Sequence, residues 1–266
     1  SGIRVLDLTR VLAGPTCART LAEHGADVLK VTAAHLPDSG LVELDTGIGK
    51  LSTRLDLREA AQVNVLRSLA RECDVFSQSY RPGALAARGF SPESLASLRP
   101  GIVCVTLSAW GNSGPWQERR GFDSIVQCVS GMADIEGRSF ATDGLAKPRL
   151  LPVSAIDYVA GYLMAFGAMI ALRRRAQEGG SWMVRVSLAR TGRWIVERGM
   201  LDQSAIADVS AELPEEEIRS VCTERTAPDG LVRHLKPVVR MSKTAPRWDR
   251  PPVPLGHHPP VWPARS

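Results

Sequence analysis

Cysteine is scarce in this chain and falls in no useful pattern. Its five residues, Cys17, Cys73, Cys104, Cys128 and Cys222, are odd in number and widely spaced, which argues against a disulfide framework and against the paired ligands of a zinc site. A long hydrophobic run is missing as well. The longest, Tyr158 to Leu172, has about 15 residues, short of the ~20 that a bilayer-spanning helix needs. No run resembling a secretion signal comes before Ile3. No basic run is interleaved with aromatics, as single-strand nucleic-acid binders require. These absences lead to the expectation of a cytoplasmic protein in a reducing compartment, with no metal, nucleic acid or membrane among its partners.

What is present reads as globular. The 266 residues are 44% hydrophobic and 23% charged, enough for one large domain with an appendage and too few for two full domains. The formal charge of +5 is carried by scattered Arg residues. It suits a solvated basic surface and a small phosphate-bearing ligand equally well.

Along the chain, strand and helix patterns alternate. Ile3 to Leu8 is a short apolar run, Ala13-Gly14-Pro15 a turn, Thr16 to His24 a helix closing on Gly25, and Asp27 to Val31 a second strand. From Thr32 to Thr53 there is no sustained periodicity, and a long functional loop is expected. A helix to about Ala70 follows, then a strand at Cys73–Ser77, helices at Pro82–Arg88 and Ser91–Leu98, and a strand at Ile102–Leu107. Further helices are expected at Asp123–Met132 and Asp157–Arg175, and a last strand at Trp182–Leu188. This order predicts an α/β fold: a Rossmann-like, mostly parallel sheet flanked by helices. Residues 205–220 are acidic and weakly helical. From Leu235 onward Pro, Arg and Trp dominate, and an extended C-terminal arm over another surface is expected.

One residue stands out against this pattern. Asp157 is the only charged side chain between Leu150 and Leu172, and an ionised carboxylate in such company loses several kcal/mol of solvation unless it is compensated. Two readings stand side by side on the residues alone: Asp157 caps the helix it begins, or it is a nucleophile or base.

The motifs Asp7-Leu8-Thr9-Arg10-Val11-Leu12-Ala13-Gly14-Pro15, Leu21 to Val31, Leu55-Asp56-Leu57-Arg58, Arg81-Pro82-Gly83-Ala84-Leu85 and Gly121-Phe122-Asp123 occur in an order and spacing that resembles the family III CoA-transferases, which also include α-methylacyl-CoA racemase. The similarity covers residues 3 to about 195 and resumes near Lys236 to Gly256. It implies a CoA-binding large domain at 1–200 and a C-terminal arm at 235–266 packing back on that domain or on a partner subunit. Residues 201–234 would be a linker where the family's small domain stands. It also implies a homodimer, interlocked in the family.

The function implied is transfer of CoA from an acyl-CoA to a carboxylic acid. The resemblance puts Asp157 at the family's nucleophile, which forms an aspartyl anhydride and then an aspartyl-CoA thioester. It implies coenzyme A as the acyl-CoA substrate and no metal. The turn Val11, Leu12, Ala13 is expected to meet CoA through backbone groups. Lys50, Ser79, Tyr80, Arg81, Arg88 and Arg120 are candidate contacts to its adenine, ribose and phosphates. An ordinary crossover turn and ordinary surface charges are the plainer readings of these same residues.

The chain also departs from the family. Phe122 occupies the place of the racemase His, and a Phe moves no proton. Val31-Thr32-Ala33-Ala34-His35-Leu36 lacks the basic residue expected after the second strand, and Arg88 is displaced by one position. Only about 45 residues separate Leu188 from the returning tail, too few for the usual small domain. The alternatives to a transferase are an acyl-CoA racemase or epimerase, which needs a second base, and a non-catalytic CoA-binding subunit.

Overall fold

The computed structural model describes residues 2–37, 40–141, 146–206, 208–210, 212–239 and 241–265. Six parallel strands form one sheet: β1 (Arg4–Leu8), β2 (Asp27–Thr32), β3 (Lys50–Arg54), β4 (Val75–Gln78), β5 (Val103–Ser108) and β6 (Trp182–Ser187), in the spatial order β3-β2-β1-β4-β5-β6. β1 is buried along its whole length, as expected of a central parallel strand with helices on both faces. One face is covered by α1 (Ala13–Glu23) and α7 (Ala155–Glu178), the other by α3 (Ala60–Glu72) and α4 (Pro92–Leu98). The α/β class and the parallel Rossmann-like sheet agree with the alternation in the sequence. The strand order reverses direction between β1 and β4, where ligands of such sheets bind, beyond the carboxyl ends of the strands.

The loop expected at residues 32–53 holds more structure than its sequence suggests. It contains a short helix, α2 (Leu41–Thr46), and the edge strand β3, while Asp38 and Ser39 lie outside the described residues. β3 has no apolar run because its inward positions are Lys50, Ser52 and Thr53, all buried and polar. Its pairing with β2 in register Val28↔Lys50 to Thr32↔Arg54 was therefore invisible to a hydrophobic-pattern reading.

Helix α7 has 24 residues and is long and apolar enough by composition to cross a membrane. In this fold it is a core helix. Ile156, Ala160, Met164, Ala165 and Ala168 are fully buried against α1 and the sheet. Gly161 makes this approach possible: a Cβ there would lie 2.5 Å from the Ala13 carbonyl and 2.7 Å from Thr16 Cβ. Small residues on the buried side thus bring α7 against the first turn of α1.

Beyond β6 the chain forms α8 (Leu188–Val196), then α9 (Glu215–Val221) and an antiparallel hairpin, β7 (Cys222–Ala227) with β8 (Gly230–Leu235). Helix α9 and nearly all of the hairpin occupy the stretch expected to be a linker. Helix α9 falls almost wholly within residues 205–220, read as weakly helical, whereas the hairpin strands are largely exposed and no apolar pattern announced them.

The last segment runs back over the amino-terminal half. Trp248 is buried, donates from Nε1 to the Arg19 carbonyl at 3.1 Å, and meets His234 edge-on. Arg250 pairs with Asp27 at 2.7 Å, His258 N–H donates to the Ser52 carbonyl at 2.7 Å, and Trp262 Nε1 to the Leu69 carbonyl at 3.0 Å. Two indoles thereby fasten an otherwise Pro-rich segment. Trp248→Ala should destabilise the chain by about 3–5 kcal/mol, the range for truncating a buried aromatic. Urea denaturation measures it, and a loss below about 1 kcal/mol would mean that the segment contributes nothing to the stability of the sheet.

Candidate active site

The turn after β1 is the first wall of the site. Val11 has φ 69°, the only non-glycine residue with positive φ among those described. A β-branched residue in that region is strained, so its surroundings must impose it. Asp7, fully buried on β1, accepts from Thr9 N–H at 3.0 Å and from Thr9 Oγ1 at 2.5 Å through Oδ1. Its Oδ2 accepts from Lys50 Nζ at 2.9 Å, and the same ammonium donates to the Pro15 carbonyl at 2.9 Å. Gly14 completes the turn, because a Cβ there would stand 2.3 Å from Thr9 Cβ. The chain is thus pinned on both sides of residues 10–13.

This geometry decides where Lys50 belongs. Its side chain is 1% exposed and its donors are directed at Asp7 and Pro15, so it faces no ligand cavity. Burial pushes its pKa down and the Asp7 carboxylate opposes that shift. The family resemblance marked it as a candidate contact to CoA, with an ordinary surface charge as the plainer reading. The buried edge strand makes it a structural cation.

The remaining walls come from the strand ends beside the switch point. Arg10, Val11, Leu12 and Ala13 follow β1, Ser79, Tyr80 and Arg81 follow β4, and Leu107, Ser108 and Ala109 end β5; with Gly121, Phe122, Asp157 and Leu188 they surround a cavity of about 290 Å³. Arg10 N–H donates to Ser79 Oγ at 3.3 Å, tying the exits of β1 and β4 together. Seven of the ten residues expected at the site therefore share one cavity: Val11, Leu12, Ala13, Ser79, Tyr80, Arg81 and Asp157.

Of the others, Arg88 lines a second cavity of about 540 Å³, with His35, Leu55, Arg58 and Ala87, and Tyr80 belongs to both. Arg88 Nη1 donates to the Leu57 carbonyl. Arg120 is exposed and lines neither cavity; its carbonyl accepts from Trp110 Nε1 at 3.1 Å. Arg10 and Arg58 belong beside these residues although the sequence reading did not single them out. Both sit inside quoted motifs, which was the available signal.

Asp157 is 6% exposed. It is the third residue of α7, whose N-cap position belongs to Ser154, so capping does not account for it. Among the described residues no hydrogen-bond donor pairs with its carboxylate oxygens. Its backbone N–H donates to Asp123 Oδ2 at 2.9 Å, and Asp123 is itself buried at the start of α5 (Asp123–Val129). Burial, and secondarily the charge of Asp123, push the Asp157 pKa up to about 7.

Four helices present their first residues to the cavity: α1 at Leu12 and Ala13, α5 at Phe122, α7 at Asp157 and α8 at Leu188. The first turn of α1 carries no side-chain cap and no acidic residue. Such ends favour negative charge. They suit a site in which an anion must form and be held.

Two further side chains complete this arrangement. Asp123 stood in the motif Gly121-Phe122-Asp123, whereas Gln127 gave no signal beyond its i, i+4 spacing from Asp123. Gln127 is 2% exposed and donates from Nε2 to Asp123 Oδ1 at 2.5 Å.

Known proteins resemble this chain in sequence and in fold. The family model described as CoA-transferase family III matches residues 1–233. An acetyl-coenzyme A transferase of Hypoxylon pulicicidum is 33% identical over 214 residues, covering 79% of this chain and 36% of that protein. The succinyl-CoA–L-malate CoA-transferase alpha subunit of Chloroflexus aurantiacus is 32% identical over 201 residues, covering 71% of this chain and 46% of the relative. The crystal structure of a hypothetical protein from Mycobacterium tuberculosis superposes with a TM-score of 0.68 at 27% identity, covering 78% of this chain and 59% of that one. The chain spans about half or less of the length of the curated relatives it matches.

Two predictions follow from the buried charges. Asp157 has a folded-state pKa raised to about 7 above its ordinary unfolded value near 3.9. Its protonated form therefore supports the fold at acid pH, and that support is lost as pH rises through 7. Asp157→Asn should raise stability by a few kcal/mol at pH 8.5 and by little at pH 4. Equal effects at the two pH values in thermal melts would contradict the raised pKa. Lys50→Met should cost about 3–5 kcal/mol by leaving Asp7 buried and unpaired. Adding Asp7→Asn should restore much of it, and a double variant no better than the single would show that the pair is not coupled.

Proposed function

This chain belongs to CoA-transferase family III, and from that premise we propose that it moves CoA from an acyl-CoA to a carboxylic acid through Asp157. The observation that carries the reading is the Asp157 carboxylate itself. It is buried, unpaired by any described donor, raised to about 7, and set at the wall of a cavity ringed by helix N-termini. A carboxylate of raised pKa is a better nucleophile when ionised than one in water, and near neutral pH a large fraction of it is ionised.

In this reading an Asp157 oxygen attacks the thioester carbonyl. A C–O bond forms, the C–S bond breaks and CoA leaves as thiolate, giving the mixed anhydride. The thiolate then attacks the Asp157 acyl carbon, releasing the donor acid and leaving an aspartyl-CoA thioester. The acceptor carboxylate attacks that carbon in turn and expels the thiolate. Attack of the thiolate on the acceptor's carbonyl gives the new acyl-CoA and restores Asp157. The helix N-termini stabilise the oxyanion at each tetrahedral stage.

The two cavities support a placement of CoA. The second cavity, with Arg58, Arg88 and His35, takes the nucleotide end of CoA. Tyr80, common to both cavities, marks where the pantetheine arm passes toward Asp157. Residues 1–200 act as the CoA-binding domain. The apolar stripe Leu163, Phe166 and Ile170 of α7, exposed here at 37%, 63% and 41%, is covered in our reading by a second, interlocked subunit.

Phe122, which moves no proton, argues against a racemase, and among the described residues neither a His nor a second carboxylate lines the cavity beside Asp157. Incubation with acetyl-CoA or succinyl-CoA and hydroxylamine or borohydride, followed by peptide mass spectrometry, should modify Asp157 and nothing in Asp157→Ala. CoA affinity of that variant should stay within about tenfold, because the carboxylate serves chemistry more than binding. CoA binding with no adduct would instead make the chain a non-catalytic CoA-binding subunit. Exchange of the α-proton into deuterated solvent would restore the racemase.

A further inference from the structure

Gln127 closes a ring of hydrogen bonds around Asp157. From α5 its Nε2 donates to Asp123 Oδ1 at 2.5 Å and, more weakly, to the Val153 carbonyl at 3.4 Å. Its Oε1 accepts from Leu151 N–H at 2.9 Å. The other Asp123 oxygen accepts from Asp157 N–H at 2.9 Å. The ring therefore runs from Asp157 to Asp123, on to Gln127, into residues 151–153, and back along the chain to Asp157.

The amide orientation is dictated by its partners. Rotated by half a turn, the side chain would set oxygen against the Asp123 carboxylate and N–H against the Leu151 N–H, losing both bonds. Gln127 is also 2% exposed, and a buried amide with all its strong partners inside the chain has one arrangement and a steep cost for leaving it.

The segment that Gln127 grips packs Leu151 against the core, while Pro152 and Val153 are exposed. Residues 146–150 are exposed, and Arg149 N–H donates to the Ala133 carbonyl at 2.8 Å. This segment feeds directly into α7, so whatever fixes Leu151 and Val153 fixes the entry angle of the helix and the place of its third residue. Gln127 touches Asp123 and the segment at once. It is the one described side chain bonded to both structures that set where Asp157 stands.

We infer that Gln127 is a positioning residue of the transfer reaction, holding Asp123 and the 151–153 segment so that the Asp157 carboxylate is presented to the thioester. This rests on the reading of Asp157 as nucleophile. The ionisable groups of the ring are Asp123 on α5 and Asp157 on α7; Leu151, Pro152 and Val153 contribute none.

A positioning role for Gln127 has a pH signature that a space-filling role lacks. In Gln127→Glu the protonated acid reproduces the pattern, its O–H donating to Asp123 and its carbonyl oxygen accepting from Leu151. Once ionised, it loses the donor and faces Asp123 with like charge. The rate of Asp157 modification by acetyl-CoA should be close to that of the unmodified chain at pH 5.5 and at least tenfold below it at pH 8.5. Gln127→Met, of similar volume without the amide, should be slowed about tenfold or more at every pH. Its acetyl-CoA affinity should stay within about threefold.

Hydrogen exchange of the Asp157 backbone amide gives a readout that needs no turnover. It should lose protection in Gln127→Met and, at high pH only, in Gln127→Glu. Changed exchange in a chain that acetyl-CoA never labels would show that Gln127 holds Asp157 in place but would remove the transferase reading, and with it any role of Gln127 in transfer. Unchanged labelling and unchanged exchange in Gln127→Met would overturn the role of Gln127. Thermal melts identify a variant that fails to fold, and Gln127→Glu at pH 5.5 then carries the comparison alone.

Discussion

The Asp7–Lys50 pair is the interaction on which the site depends. It joins the central strand β1 to the edge strand β3, and through the Pro15 carbonyl it also grips the first turn of α1. A buried pair of this kind contributes little net stability compared with an apolar packing of equal volume. Its effect is specificity of geometry. With Thr9 bonded to the same carboxylate, the chain between β1 and α1 has no freedom to relax, and Val11 is held at its strained φ of 69°. The strained turn then sets the position of Leu12 and Ala13, against which α7 packs through Gly161.

Asp157 is one turn of helix before Gly161, so the close approach of α7 to α1 also fixes how far Asp157 stands from the β1 turn. The lateral position comes from elsewhere. Asp123 holds the Asp157 N–H, and Asp123 is placed by α5, which begins where the loop after β5 folds back with Gly121 against Ala109. Two independent constraints therefore meet at one residue, one transmitted through the sheet and α1, the other through β5 and α5. Both originate at carboxyl ends of parallel strands, where the reversal of strand order leaves room for a ligand.

Much of this was legible in the sequence, and the parts that were not share a cause. The parallel sheet followed from apolar runs alternating with helical periods, and Asp157 stood out because its neighbours are apolar. Strand β3 escaped because its buried side chains are Lys50, Ser52 and Thr53, so burial and hydrophobicity part company there. Lys50 was misplaced for the same reason: only the fold reveals that its partner is Asp7, 43 residues away. Gln127 shows the limit most plainly. A Gln in an amphipathic helix has the appearance of a solvated side chain, and two of its three partners, Leu151 and Val153, are brought to it by tertiary packing alone. The turn at Val11 offered no warning either, since nothing in a Val predicts positive φ.

The acid at the centre of the site is held in a compromise between two needs. To attack a thioester, as we propose, it must be ionised, which solvent favours; to attack well it must be poorly solvated, which burial supplies while raising its pKa. Asp123 sharpens the conflict, because the carboxylate that accepts the Asp157 N–H also adds like charge. The converging helix N-termini act in the opposite direction, favouring the anion without supplying a strong hydrogen bond that would blunt it. A cationic side chain bonded to Asp157 would settle the charge and weaken the nucleophile. Among the described residues none is bonded there: Lys50, a fully buried cation, is turned toward Asp7 instead. The fold thus commits the Lys50 ammonium to geometry and leaves the Asp157 carboxylate to backbone dipoles, which favour its ionised form without a strong hydrogen bond, as the proposed role as nucleophile requires.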